Sequence, residues 1–263
     1  MKKPAPGKRP LKTLERVLSK AGLGSRTDAR KWIGAGRVKV NGKLIQTPDH
    51  WVDLGRDKVT LDDKPVQAGE KIYLLLYKPT GYITTFKDPE GRATVYDLIQ
   101  PVIQGEGRWV VPVGRLDQDT SGLLLLTSDT RFAERVTNPD YKVPKTYLAK
   151  ASTLLSDGQI QQLRSGVALS DGPTQPAQVK RVRDSAKYSF IEITIQEGRN
   201  RQVRRMLEAI GGKVLKLVRI QIGSLRIGDL PIGHYRALTP AEVALLVKGT
   251  GTETRHQRAR MAR

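Results

Sequence analysis

Along the first sixty residues the spacing of apolar positions changes twice. Leu11, Leu14, Val17, Leu18 and Ala21 recur at helical intervals, and Gly22 and Gly24 close that helix. Ser25, with Asp28 three residues later, has the form of a capping box and opens a second helix that ends near Gly34 and Gly36. The period then drops to two. Val38-Lys39-Val40, Asn41-Gly42 and Lys43-Leu44-Ile45 predict a hairpin on a type I′ turn, and a short strand follows through Val59 and Leu61. Residues 11–69 thus read as one compact unit. From residue 70 the pattern predicts strands at 72–77, 109–113, 123–127, 146–149 and 190–195, and helices at 130–136, 156–164, 202–210 and 240–247. The last helix opens on Thr239-Pro240-Ala241-Glu242, a capping box with proline at the first helical position. Short loops between neighbouring strands predict a mainly antiparallel mixed sheet with flanking helices, an α+β domain over 70–248.

Charge then narrows the partner. The 263 residues hold 46 Lys and Arg against 26 Asp and Glu, a net charge of +20. Such an excess points to a polyanion, because each neutralised phosphate releases a counterion. Residues 1–69 carry sixteen basic and seven acidic side chains, so about a quarter of the chain holds nearly half the excess. Arg26, Arg30, Lys31, Arg37, Lys39 and Lys43 cluster on the second helix and the hairpin, where they can follow an RNA backbone by shape and phosphate contact. Residues 1–10 and 249–263 read as disordered basic tails, either loose phosphate contacts or plain solvated ends. No apolar run reaches the roughly 18 residues of a membrane span. Met1-Lys2-Lys3 leads into Pro-Ala-Pro-Gly rather than an apolar segment, and there is no cysteine, so a cytoplasmic protein without a membrane partner is expected.

Few motifs offer chemistry. Gly36 to Lys43 departs from a phosphate loop in spacing and has Leu44 where Ser or Thr would hold magnesium. His50, His234 and His256 are far apart, and no short-spaced metal set exists, so neither metal nor cofactor is expected. Carboxylates, tyrosines and basic residues are left. Residues 113–122 (V-G-R-L-D-Q-D-T-S-G) form a loop before the apolar run Leu123-Leu124-Leu125-Leu126-Thr127. By residue type alone, Asp117 and Asp119 are ordinary turn formers and Arg115 is their surface partner. Loops on rigid sheets are also where catalytic groups collect.

The wording of that loop is more specific than its spacing. G-R-L-D-x-D-T-x-G-L-L-L-L-T resembles the active-site motif of bacterial rRNA pseudouridine synthases of the RsuA/RluB-like family. Tyr77-Lys78-Pro79-Thr80-Gly81 resembles that family's K-P-x-G motif, Lys145-Thr146-Tyr147 its K-x-Y strand, and residues 197–206 (E-G-R-N-R-Q-V-R-R-M) its third motif. The two helices, the Gly-Ser-Arg turn and the V-x-V-N-G-K hairpin resemble the alpha-L (S4-like) RNA-binding module. Together the similarities span about residues 11–248, and the wording at 88–92 and 197–201 is closer to the RluB-like large-subunit branch.

The resemblance implies an isomerase that turns a uridine of ribosomal RNA into pseudouridine, acting as a monomer on large-subunit rRNA. Small-subunit rRNA, tRNA, or an idle ribosome-assembly role are the alternatives. It implies Asp117 as the catalytic carboxylate, Tyr147 as the base-stacking tyrosine and Arg204 as the basic partner of Asp117. Arg115 would fill the gap left by a flipped nucleotide or hold a phosphate, and Lys78 would join the RNA-binding set. Asp119 is assigned to loop structure. Some relatives have His where Arg201 stands and Lys where Arg204 stands, which implies little chemical weight at the first position and a need for charge at the second. Residue by residue, other readings stand beside these: Tyr147 is equally an ordinary half-buried strand tyrosine, and Arg204, off the Val203, Met206, Leu207 and Ile210 face, an ordinary solvated arginine.

Overall fold

The computed structural model describes residues 11–67, 70–106 and 109–248, so both basic tails lie outside the described residues. The chain packs as two compact units. The first gathers residues 11–72 with 100–111 and 128–130, and the second holds 73–99, 112–127 and 131 onward.

In the first unit the capping box closes as expected: Ser25 Oγ accepts from the Asp28 amide, and the Ser25 amide donates back to the Asp28 carboxylate. It starts the helix Arg26–Gly34, which packs beside Leu14–Lys20. Leu11 does not join the first helix. The chain there is extended, and Lys12–Thr13 pairs with Trp51–Val52. Asn41 and Gly42 both take positive φ, 52° and 79°, as a type I′ hairpin turn demands. Leu14, Leu18, Ile33, Val38 and Val52 are fully buried, so both elements share one core.

The second unit is a sheet in the order Gln178–Asp184, Ser189–Ile195, Lys145–Ala151, Val214–Ile222, Ser121–Thr127, Tyr73–Lys78, Tyr235–Ala237. Every step along it is antiparallel except that between Val214–Ile222 and Ser121–Thr127. The helices Asp157–Ser165 and Gln202–Ala209 cover Ala149, Ile191, Ile193 and Leu217 with Ile160, Leu163, Val203 and Leu207. At the other end Phe132, Val136 and Leu246 pack on Leu75, Leu123 and Leu125. Ser121–Thr127 is buried along its whole length, which is why its sequence is a continuous apolar run and not an alternating one.

Three strands of this sheet escape the apolar pattern, and one of them, Tyr235–Ala237, is only three residues long. Gln178–Asp184 lies at the edge and buries little beyond Val179. Val214–Ile222 is central but carries Lys216, Arg219 and Gln221, and its buried arginine hides the alternation. The helix Gln100–Glu106, in the first unit, was hidden by Pro101 and Gly105, and the strand expected from 109 begins only at Val111.

The one parallel step places a requirement on Gly122. A Cβ there would stand 2.3 Å from the Arg219 carbonyl oxygen and 2.5 Å from its amide nitrogen, at φ +113°. Gly122→Ala should therefore lower unfolding stability by about 3 kcal/mol or more in urea or thermal melts. An unchanged midpoint would show that the two strands do not approach this closely.

Candidate active site

Lys78 ends one sheet strand as the loop 113–122 enters the next, and it is fully buried at 0% exposure. Its Nζ donates to the carbonyls of Pro79 (3.0 Å), Asp117 (3.0 Å) and Thr120 (2.8 Å). Three acceptors match the three protons of an ammonium. Burial pushes Lys78 down to about 8, against the pull of the Asp117 and Asp119 charges. The expectation that Lys78 contacts RNA is corrected here: its head is enclosed and spent on the loop. The K-P-x-G segment closes the same loop a second way. Gly81 donates its amide to Gln118 O at 2.8 Å, and Gln118 Nε2 donates to Gly81 O at 3.1 Å. Thr84 Oγ1 donates to Leu116 O and accepts from the Leu116 amide.

With its backbone held on both sides, the loop presents Asp117 at 33% side-chain exposure. Its carboxylate accepts no hydrogen bond from the described residues. The nearest cation is Arg201, with Nη1 at 3.7 Å from Oδ2. Arg201 stands in the left-handed region, φ 48°, immediately before the helix Gln202–Ala209. It also donates twice to the Asp119 carboxylate, at 3.2 and 3.0 Å.

Arg204 does not pair with Asp117. Its Nη2 donates to Asp119 O at 2.9 Å and lies 3.3 Å from Asp119 Oδ2, while Nη1 donates to Val214 O at 3.2 Å. It is 7% exposed, so the solvated reading is also set aside. Burial lowers its affinity for the proton, and the Asp119 charge offsets part of that. Asp119 is more than a turn former. Burial alone would raise its carboxyl, but the Arg201 hydrogen bond and the Arg204 charge hold it below its ordinary value. Asp119 is thus the pin that joins the aspartate loop to the third motif. Arg201, judged to carry little weight, is the cation that reaches both carboxylates. The doubled acid in D-x-D facing R-x-x-R was the available signal.

The loop, the strand Lys145–Ala151 and residues 198–203 enclose a cleft of about 460 Å³. Asp117, Arg115, Arg201 and Tyr147 line it, with Lys145 and Arg219 on the sheet. Tyr147 is half-buried and Arg115 exposed. Asp117, Tyr147 and Arg115 are therefore brought together, and Arg204 sits behind the loop. In the first unit, Arg30 is paired with Glu15, Arg37 with Asp62 and Lys39 with Asp63, all at 2.5–2.6 Å. Arg26, Lys31 and Lys43 are exposed.

Comparison with known proteins fits this arrangement. A family model described as RNA pseudouridylate synthase matches residues 72–209, and one described as S4 domain matches residues 13–58. The chain belongs to the RNA pseudouridylate synthase family and carries an S4 domain ahead of the catalytic region. It is an isomerase acting on uridine in RNA. It is 42% identical over 238 residues to the Ribosomal large subunit pseudouridine synthase B of Bacillus subtilis, covering 90% of this chain and 96% of that one. It is 40% identical to an uncharacterized RNA pseudouridine synthase of Aquifex aeolicus over 90% of this chain and 94% of that one. A crystal structure of a pseudouridylate synthase superposes with a TM-score of 0.64 at 30% identity, over 89% of this chain and 99% of that chain. No helix among the described residues is long and apolar enough to cross a membrane.

Proposed function

We propose that the chain isomerises a uridine of large-subunit ribosomal RNA, with Asp117 as the carboxylate that starts the reaction. The observation that carries this reading is the Asp117 carboxylate, which accepts no hydrogen bond from the described residues, on the wall of a cleft shared with Tyr147. The relatives' names support the ribosomal target. Breaking the bond from ribose C1′ to uracil N1 calls for a carboxylate near the anomeric centre. From its place on the loop, Asp117 serves either attack at C1′ or removal of a ribose proton to give a glycal. Tyr147, on the wall of the same cleft, gives the extruded uracil a flat face, and its hydroxyl assists loss of the carbon 5 proton. Arg115, exposed on the cleft wall, takes a phosphate or the gap in the stack. No atoms are gained or lost overall, so the residues of this chain suffice. The enzyme works as a monomer in the cytoplasm, with residues 11–69 as its RNA-binding domain and 70–248 as its catalytic domain.

Incubating the purified chain with large-subunit rRNA tritiated at uracil carbon 5 tests this: tritium should appear in water, and its retention on small-subunit rRNA should mark the preference. Equal release from both RNAs, or none, would reject it.

The two arginines of the third motif have separable tasks on this account. Arg201→Met removes the cation nearest Asp117 and should lower kcat by about 10- to 100-fold. Arg204→Lys keeps a charge beside Asp119 but cannot span Asp119 O and Val214 O as the guanidinium fork does. We expect Arg204→Lys to fall between wild type and Arg204→Met, rather than match wild type as a requirement for charge alone would imply. A Lys variant with full activity would return the weight to charge.

Within the N-terminal unit, Arg26, Lys31 and Lys43 are the basic residues of the cluster not engaged by carboxylates among the described residues. Reversing Arg26 and Lys31 to Glu should weaken RNA binding and reduce the slope of log K against log salt by about 2. The same reversal at Arg37 and Lys39 should act less on RNA and more on the fold, through loss of the Asp62 and Asp63 pairs. An unchanged salt slope for the first pair would remove the module's role in delivery.

A further inference from the structure

The cleft holds more positive charge than Asp117 balances. Lys78 and Arg204 are spent behind the loop, as described above. Lys145 and Arg219 are not. Both line the cleft. They stand on the face of the sheet that carries Tyr147: Arg219 is the cross-strand neighbour of Tyr147, and Lys145 precedes it by two residues. Arg219 is 3% exposed. Its Nε donates to Leu123 O at 2.8 Å, and its Nη2 is enclosed with no hydrogen-bond partner. No carboxylate among the described residues forms an ion pair with it. Lys145 Nζ donates to Val143 O alone, at 3.1 Å. Burial, and then the Arg219 charge beside it, pushes Lys145 down to about 8.

A buried and a half-buried like charge with unused donors are unfavourable in the empty cleft and become favourable when an anion arrives. The reaction creates one. When the bond from C1′ to N1 breaks, its electron pair stays on N1, and uracil departs as an anion with charge spread over N1, O2 and O4. The anion turns, its C5 bonds to C1′, the proton leaves C5 and one returns to N1. Charge therefore develops on the base as the first bond breaks and disappears once C5 is joined.

Building on the reading above, we propose that Arg219 and Lys145 form a cationic wall that holds the detached uracil as its anion and favours the bond-breaking step. Fixed charges aimed at where charge develops, in a water-poor site, are an effective way to lower such a barrier. The wall lies beside Tyr147, where the extruded base would stack, so the base meets the aromatic face and the cations together.

The experiment compares leaving groups. Transcripts of large-subunit rRNA are prepared with uridine or with 5-fluorouridine, and glycosidic bond turnover is followed in single-turnover reactions by nucleoside chromatography. Fluorine makes the departing base a more stable anion, so an enzyme that has lost its own stabilisation should be helped more by it. With uridine, Arg219→Met should slow the step by about 100-fold. RNA affinity should stay within about threefold, and the loss with 5-fluorouridine should be about tenfold or less. Lys145→Met, which removes one local hydrogen bond, should show the same selectivity with a loss of about tenfold, and it serves if Arg219→Met does not fold.

Equal losses with both transcripts, in whichever variant folds, would overturn the proposal and leave Arg219 as a prop for the Leu123 carbonyl. A loss confined to affinity would overturn it too and make the pair a phosphate contact. Wild-type enzyme that makes no pseudouridine in either rRNA would instead strike at the reading on which this rests.

Discussion

Asp117→Asn should abolish pseudouridine formation, with kcat at least about a thousandfold below wild type, while RNA affinity and the melting temperature stay close to wild type. The side chains match in size, so the cleft keeps its shape. What changes is charge and basicity at the one carboxylate that lines the cleft among the described residues. Asp117 accepts no hydrogen bond from the described residues and has one cation, Arg201, at 3.7 Å. Replacing it therefore leaves no internal acceptor unpaired, and the fold should tolerate the change. The neighbouring Asp119→Asn makes the opposite case. That side chain holds Arg201 and Arg204, so its loss should lower both activity and stability. An Asp117→Asn enzyme within a few-fold of wild type would move the chemistry elsewhere.

Lys78→Met should damage stability and activity together from outside the cleft. It removes the donor to three carbonyls, two of which belong to Asp117 and Thr120 in the aspartate loop. Enclosed acceptors left without partners cost about 1–3 kcal/mol each, and a thioether restores none of them. Part of this is offset, because a desolvated charge is removed as well. We expect a net loss of about 2–4 kcal/mol in stability, read from urea unfolding. Activity should fall about 100-fold even well below the unfolding transition, since an ångström of drift in Asp117 is enough to do so. Were Lys78 an RNA contact, the same change would weaken binding and leave the melt untouched.

Lys78 also marks the boundary of what the chain revealed before its structure was known. The resemblance placed it in the RNA-binding set, and only the path of two loops shows that it is enclosed. Helix starts were legible because caps are local: Ser25 with Asp28 and Thr239 with Glu242 close as the spacing implies. The run 123–127 was legible because a strand buried on both faces has no polar positions. Val214–Ile222 was not legible, although it is central, because Arg219 interrupts it and finds its acceptor 96 residues away in Leu123. The motifs located Asp117, Tyr147 and Arg115 on one cleft. They misassigned the partner of Arg204, because spacing on a helix cannot say which of two aspartates, two residues apart on a loop, a guanidinium will meet.

The most direct test of the central claim is a pseudouridine map of the ribosomal RNAs, read as reverse-transcription stops after carbodiimide treatment. Three strains are compared: one lacking the gene, one restored with the wild-type chain and one restored with Asp117→Asn. The account predicts that a large-subunit pseudouridine vanishes on deletion, returns with the wild-type chain and stays absent with the Asn variant. A map unchanged by deletion, or restored by the Asn variant, would contradict it.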